Sequence, residues 1–516
     1  MDKIIVLDFG SQTAQLISRR IREIGIYSEV LPGDINIKDV DITGIKGIIL
    51  SGSPESVYDK DAYFVDKTIY TLGIPLLGIC YGLQRITVDF NGKVTALEKN
   101  EYGRSNIKYV SKSKLFENVP ENFNSWMSHG DSIEKPGDGF EVIALSDHHI
   151  AAVYNKSNNI YGIQFHPEVT HCEHGNKILE NFTANICGAK KEWNMELYLE
   201  DVRKNIINQV KDKDVLLLIS GGVDSTVVAA LLLKSLNPEK VHLMYINTGL
   251  MRKNESTEVE NNLKKLGAKY FHHINASRKF LEALKGITDP ETKRKIIGDL
   301  FITVQQEELK KAGIPNNALL AQGTLYTDLI ESGKGVGKKA HVIKSHHNVK
   351  SPLVEEKRER GEIIEPLDKL YKDEVRELGK IVGISDEIIG RHPFPGPGLA
   401  VRILGEVTEE KCDLLREADY IYISELKKRG LYNKIWQAFP ILLPIRSVGV
   451  TGDTRKYGHV LALRAITSID GMTADVFPMN IKDLLEISSL ITNSIPGIGR
   501  VVYDVSSKPP ATIEWE

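Results

Sequence analysis

Cysteine is scarce in this 516-residue chain: only Cys80, Cys172, Cys187 and Cys412 are present, without paired metal-ligand spacing or a disulfide framework. That excludes a disulfide-stapled scaffold and a zinc ribbon, and a reactive thiol would need a reducing compartment. A dominant charge is lacking too, because 66 lysines and arginines stand against 69 acidic residues, a formal net charge of −3. The balance argues against a general nucleic-acid or membrane-surface binder. No apolar run is long enough to span a bilayer, and Met1-Asp2-Lys3 leads straight into a strand rather than a signal peptide. A cytoplasmic protein with no membrane and no nucleic-acid partner is therefore expected. The 41% hydrophobic content is ordinary for packed cores, and the length suggests about three domains at ~100–200 residues each.

Residues 1–190 alternate strand and helix, which implies a parallel sheet with ligands at the carboxyl ends of its strands. Lys3 to Asp8, Gly47 to Leu50 and Pro75 to Cys80 read as strands, and Thr13 to Gly25 has helical spacing. A polar stretch from Cys187 to Glu192 reads as a linker. A second alternating block, 191–391, opens with a strand at Asp214 to Ile219. It ends at Arg391-His392-Pro393-Phe394-Pro395-Gly396-Pro397-Gly398, too rich in proline and glycine for helix or strand. Residues 392–516, with strands at Ala438 to Pro444 and His459 to Ala465, read as an α+β domain.

Cys80 follows the apolar run Ile74-Pro75-Leu76-Leu77-Gly78-Ile79 and precedes Tyr81-Gly82-Leu83-Gln84. The pattern predicts a strand, a sharp turn and a helix, with glycines that let the backbone bend and a substrate approach. A thiol nucleophile needs a base, and the base needs a group to orient it. Gln164-Phe165-His166-Pro167-Glu168 supplies both. A lone cysteine is usually just a small buried apolar residue. The flanking glycines and the His-x-Glu pair turn the reading to catalysis, with Cys80, His166 and Glu168 as nucleophile, base and orienting carboxylate.

A second site is carried by Ser220-Gly221-Gly222-Val223-Asp224-Ser225, which follows the apolar run Leu216 to Ile219. Exposed amides at the glycines and the helix start form a phosphate cradle. No Gly-Lys-Ser/Thr follows, so this is not a Walker loop. Asp224 would repel a phosphate unless Mg²⁺ bridged the two, which makes it a candidate metal contact. Lys293-Arg294-Lys295, near a helix start, reads by charge alone as a solvated face. His346 and His347 would point to opposite faces of a strand, which argues against a shared metal.

The Ser-Gly-Gly-x-Asp-Ser loop resembles the pyrophosphate loop of ATP pyrophosphatases. Together with the Cys80, His166 and Glu168 motifs, and with Lys293 to Gly298, Lys344 to Asn348, Arg391 to Gly398 and the tail Arg500 to Glu516, it resembles the glutamine-hydrolysing GMP synthases over nearly the whole chain. The resemblance implies an α/β protein: a flavodoxin-like class I amidotransferase domain at 1–190, a Rossmann-like ATP pyrophosphatase domain at 191–391, and an α+β dimerisation domain at 392–516. It implies backbone amides of Gly52 and Tyr81 as an oxyanion hole, and a glutamine pocket that includes Gln84, Ser128 and His129. ATP is expected on Ser220 to Ser225, Asn247, Leu250 and Gly323, with Mg²⁺ on Asp224. Xanthosine monophosphate (XMP) is expected on Arg294, Lys508, Thr512 and Glu514, the last better suited to ribose or base than to phosphate. The implied partners are glutamine, XMP and ATP as substrates and a second copy of the chain. The nearest alternative is an amide-forming ligase of the same group acting on a nicotinate dinucleotide.

Overall fold

Ile4 to Leu7 are almost completely buried, as expected of a strand covered by helices on both faces. The computed structural model describes residues 1–516 except 12, 147–148, 316, 332–351, 452–453 and 469–472; the histidine pair 346–347 therefore lies outside the described residues. Two compact units are present, one of residues 1–199 with 326–345, the other of residues 200–325 with 346–516.

The first unit is built on nine strands: β1 (Lys3–Asp8), β2 (Tyr27–Pro32), β3 (Ile45–Leu50), β4 (Leu76–Ile79), β5 (Lys93–Tyr109), β6 (Asn122–Lys135), β7 (Glu141–Leu145), β8 (Ile150–Asn155) and β9 (Ile160–Ile163). Their order is β2-β1-β3-β4-β9-β8-β7-β5-β6. The β2-to-β9 portion is parallel, whereas β5 to β8 extend it antiparallel. The sheet is thus mixed, where strand–helix alternation implied a parallel one. Helix α1 (Ala14–Glu23) buries Ala14, Ile17, Ser18 and Ile21 on one face. Helix α2 (Tyr81–Asp89) follows β4 after a single residue, Cys80.

In the second unit, β10 (Val215–Ile219), β11 (Val241–Asn247), β12 (Tyr270–Asn275), β13 (Leu319–Ala321) and β14 (Ile363–Ile364) form an all-parallel sheet in the order β12-β11-β10-β13-β14. The helix Val223–Ser235 is buried at nearly every position, as the centre of a doubly covered sheet requires. A further sheet contains β15 (Gln437–Thr451), β16 (Thr454–Thr467), β17 (Asp475–Val476) and β18 (Ile498–Tyr503), with β18 parallel to β16. Leu415 and Tyr422 from the helix Glu409–Lys428, and Ile487 and Ile491 from Ile481–Ser494, share one core with Leu461 and Leu463 of β16.

The last residues are held rather than loose. Arg464, fully buried on β16, donates to the carbonyls of Ser506 (3.0 Å), Thr512 (2.9 Å) and Ile513 (2.8 Å) and pairs with Asp504 at 2.5 Å. Trp515 Nε1 donates to Asp504 at 2.9 Å. The expected solvated face at 293–295 is corrected at Lys293, which is completely buried. Its ammonium reaches the carbonyls of Ala400 (3.2 Å) and Ile403 (2.8 Å) and a carboxylate oxygen of Glu516 (2.5 Å). Lys293 lies on the buried stripe of its helix with Ile297 and Val304, a position that charge alone does not reveal.

Candidate active sites

Cys80 occupies the single-residue turn between β4 and α2 with φ +52° and ψ −107°, a conformation costly for a residue with a side chain. The turn is fixed on both sides: Cys80 N–H donates to Ile163 O at 2.8 Å, and Gly82 N–H to Ser51 O at 3.0 Å. Gly82 has no room for a side chain, because a Cβ there would lie 2.4 Å from Leu50 O. Tyr81 begins α2, so its N–H is one of the helix-start amides without an acceptor inside the helix. A Cβ built on Gly52 would sit 3.4 Å from His166 Cε1 and 3.8 Å from Cys80 Cβ, which places the Gly52 backbone against both side chains.

His166 Nδ1 and Glu168 Oε1 are 2.7 Å apart, and the Glu168 side chain is fully buried. Burial opposes a charged imidazole, but the adjacent Glu168 carboxylate and the hydrogen bond to Cys80 outweigh it and hold the His166 pKa well above its usual value. The structure thus brings Cys80, His166, Glu168, Gly52 and Tyr81 together. Ser128 contributes through its backbone, its carbonyl lying 3.9 Å from Cys80 Sγ. Gln84 is buried and donates to Asp131 O at 2.9 Å, tying α2 to β6. His129 is buried where Ser128 is exposed, the alternation expected along β6. One neighbour was not singled out from sequence: buried Gln164, whose Nε2 approaches Cys80 Sγ at 3.7 Å. Its place in the strand-like run ahead of His166 was the available signal.

In the second unit, β10 ends at the glycine cradle and the helix begins at Val223. Gly221 has φ +81°, the left-handed region that glycine enters freely. The loop is braced from within, Ser220 Oγ lying 3.1 Å from Ser225 Oγ and Thr226 Oγ1 donating to Gly222 O at 2.8 Å. Gly323 packs on it, since a Cβ there would be 3.4 Å from Asp224 Cβ and 3.5 Å from Ser225 N. Asn247 ends β11 and caps its own turn through Gly249 N–H at 2.9 Å. The Leu250 side chain is buried, and its carbonyl accepts from Leu399 N–H at 2.8 Å.

Asp224 is not isolated. Lys372 Nζ meets its two carboxylate oxygens at 2.6 and 2.5 Å, a pairing across 148 residues that no local pattern reveals. A partly exposed carboxylate beside a glycine cradle fits a divalent cation carried with a nucleotide, with Lys372 giving way. Among the described residues, no cluster of three or more His, Cys, Asp or Glu could hold a metal by itself.

The tail residues are engaged in two groups. Arg294 donates to the backbone carbonyl of Glu516 and lies 3.5 Å from Glu291. Glu514 accepts from fully buried Arg402 (3.1 and 2.8 Å) and from Gln437 Nε2 (2.8 Å). Thr512 Oγ1 donates to Glu514 O, and Lys508 N–H to Ala474 O at 2.7 Å. Arg402 and Gln437 were not recognised from sequence because neither belongs to a motif.

Residues 5–186 match the class-I glutamine amidotransferase family, 196–295 the NAD synthase family, and 424–515 the GMP synthase C terminal domain. Fold and sites define a class I glutamine amidotransferase joined to an ATP pyrophosphatase of NAD-synthase type. The chain is 50% identical over 517 residues to the GMP synthase (glutamine-hydrolyzing) of Brachyspira hyodysenteriae, covering 100% of this chain and 99% of the relative. It is 49% identical over 516 residues to that of Aquifex aeolicus, covering 99% of each. The chain belongs to the glutamine-hydrolysing GMP synthase family.

Proposed function

We propose that this chain converts XMP to GMP with glutamine as nitrogen donor and ATP as activator, in guanine nucleotide biosynthesis. The observation that carries the reading is the coexistence in one chain of the strained Cys80 turn beside the His166–Glu168 pair and of a braced Ser-Gly-Gly cradle. Cys80 gives its proton to His166 and attacks the glutamine side-chain amide. The amides of Gly52 and Tyr81 hold the oxyanion, each donor worth about 10²–10³ in rate. His166 returns the proton to the departing ammonia, and water clears the thioester, releasing glutamate. In the other unit, O2 of XMP attacks the α-phosphorus of ATP, whose phosphates rest on Ser220 to Ser225, and pyrophosphate leaves. Ammonia then displaces AMP at C2. Magnesium held by Asp224 would neutralise phosphate charge.

The division into functional domains is 1–190, 191–391 and 392–516, with glutamine on Gln84, Ser128 and His129, and the adenosine near Asn247, Leu250 and Gly323. XMP rests on Arg294, Lys508, Thr512 and Glu514. The assay is GMP formation from XMP and ATP·Mg with glutamine or ammonium, followed by chromatography. An ATP-dependent amination of a nicotinate dinucleotide instead would overturn the XMP assignment.

Glu168→Gln keeps the shape of the pair and removes the charge that stabilises the imidazolium. Glutamate release should fall on the order of 10⁴, the loss seen when a triad carboxylate is exchanged for its amide. The raised His166 pKa should drop toward its usual value, so the alkaline limb, where the imidazolium loses its proton, moves to lower pH. An unmoved limb would remove Glu168 from its role.

We also propose a homodimer formed through the C-terminal domain, in the cytoplasm. Val448, Val450 and Tyr457 are exposed on the β15–β16 hairpin and Ile481 and Leu485 on the helix Ile481–Ser494, apolar side chains that a second copy would cover. Sedimentation should give the dimer mass, and Val450→Glu with Tyr457→Glu should give the monomer. A monomeric unmodified protein at micromolar concentration refutes the proposal, and cell fractionation checks the location. Among the described residues, no helix is long and apolar enough to cross a membrane.

A further inference from the structure

A cavity of about 300 Å³ in the second unit belongs to neither site described above. Arg376, Arg391, His392, Lys434 and Trp436 line it, and no acidic side chain does. Arg391 pairs with Glu258 outside the lining. Arg376 and Lys434 form no ion pair among the described residues, and Arg376 Nε is buried without a hydrogen-bond partner. Two of the three cations, Arg376 and Lys434, thus face the concavity without a paired carboxylate, and like charges left together favour an anion.

The wall is rigid. His392 stacks on Tyr432 with ring centroids 3.8 Å apart and planes 10° from parallel. Its Nδ1 accepts from Ala438 N–H at 3.1 Å, so Nε2 carries the proton toward Tyr432 O at 3.0 Å. Burial pushes the His392 pKa down to about 4, so this imidazole is neutral and the positive charge comes from the arginines and the lysine. Trp436 lines the cavity, whereas the side chain of the next residue, Gln437, bonds Glu514 and Pro393 O. Gln437, which does not line the cavity, belongs with the tail residue Glu514.

Guanidinium forks match phosphate oxygens two at a time, and a tryptophan face accepts a flat base. The volume falls at the small end of ordinary ligand sites, the size class of a single nucleotide. We propose that this cavity is a second nucleotide site, taking a nucleoside monophosphate with its phosphate on Arg376, Arg391 and Lys434 and its base against Trp436. Such a site would let a purine monophosphate act on the enzyme without occupying either substrate site.

The test is calorimetric titration of the full-length protein with GMP and, separately, with inorganic phosphate. Wild type should show a class of GMP site that is weakened at least ~10-fold in Arg376→Gln/Lys434→Gln, each lost charged contact being worth about that much. Ammonia-dependent GMP formation at saturating substrate should be retained by the variant, which establishes that it folds. Trp436→Leu, a milder change, should weaken GMP and leave phosphate unaffected. Identical GMP isotherms for wild type and both variants would overturn the proposal. So would phosphate binding as tightly as GMP with no effect of Trp436→Leu, since the cavity would then be an anion site without base recognition.

Discussion

Cys80→Ala should abolish GMP formation from glutamine and leave GMP formation from ammonium at alkaline pH near the wild-type rate. The loss with glutamine should be on the order of 10⁴–10⁶, because removing a nucleophile leaves only binding and oxyanion stabilisation behind. The substitution is small and the site is braced by backbone bonds that do not involve the thiol, from Cys80 N–H to Ile163 O and from Gly82 N–H to Ser51 O. Folding should survive it. Alanine must take the same φ +52° that cysteine already bears, so the substitution adds no backbone strain. GMP is followed by chromatography under both nitrogen sources. A variant that keeps glutamine-dependent synthesis would remove Cys80 from catalysis. One that loses both activities would mean that the two units cannot function independently.

What the sequence disclosed and what it withheld divide by distance along the chain. The Cys80 turn was legible because strand, turn and helix are local, and Gly82 is required where Leu50 O comes within 2.4 Å of a built Cβ. The Ser-Gly-Gly loop was legible for the same reason: its bracing bonds span five residues or fewer. The pairing of Asp224 with Lys372, of Glu514 with Arg402 and of Lys293 with Glu516 was not, since each joins positions more than a hundred residues apart. Lys293 misled in a specific way: charge predicts exposure only until a buried carboxylate and two carbonyls are found to receive it. The antiparallel extension of the first sheet escaped notice as well. The period-two burial of Phe123, Ser125, Met127 and His129 along β6 marks a strand but does not name its partner.

Asp224→Ala should reduce pyrophosphate release from XMP, ATP and Mg²⁺ on the order of 10²–10³ with ammonium as nitrogen source, the scale of losing one preorganised electrostatic contact. Two effects combine. The variant loses the carboxylate that would bind the cation, and it leaves Lys372 unpaired beside the phosphate cradle. The second effect acts in the opposite direction, since a free ammonium attracts phosphate. ATP binding should therefore hold or tighten while turnover falls, a split that general damage to the loop would not produce. Asp224→Asn, which retains shape but not charge, should behave alike and require more Mg²⁺ for half-maximal rate. The cradle should keep its form in both variants, because Ser220, Gly222, Ser225 and Thr226 brace it without Asp224. Undiminished pyrophosphate release with an unchanged Mg²⁺ requirement would show that Asp224 serves only as the partner of Lys372, and the cation would have to be held by the nucleotide and water alone.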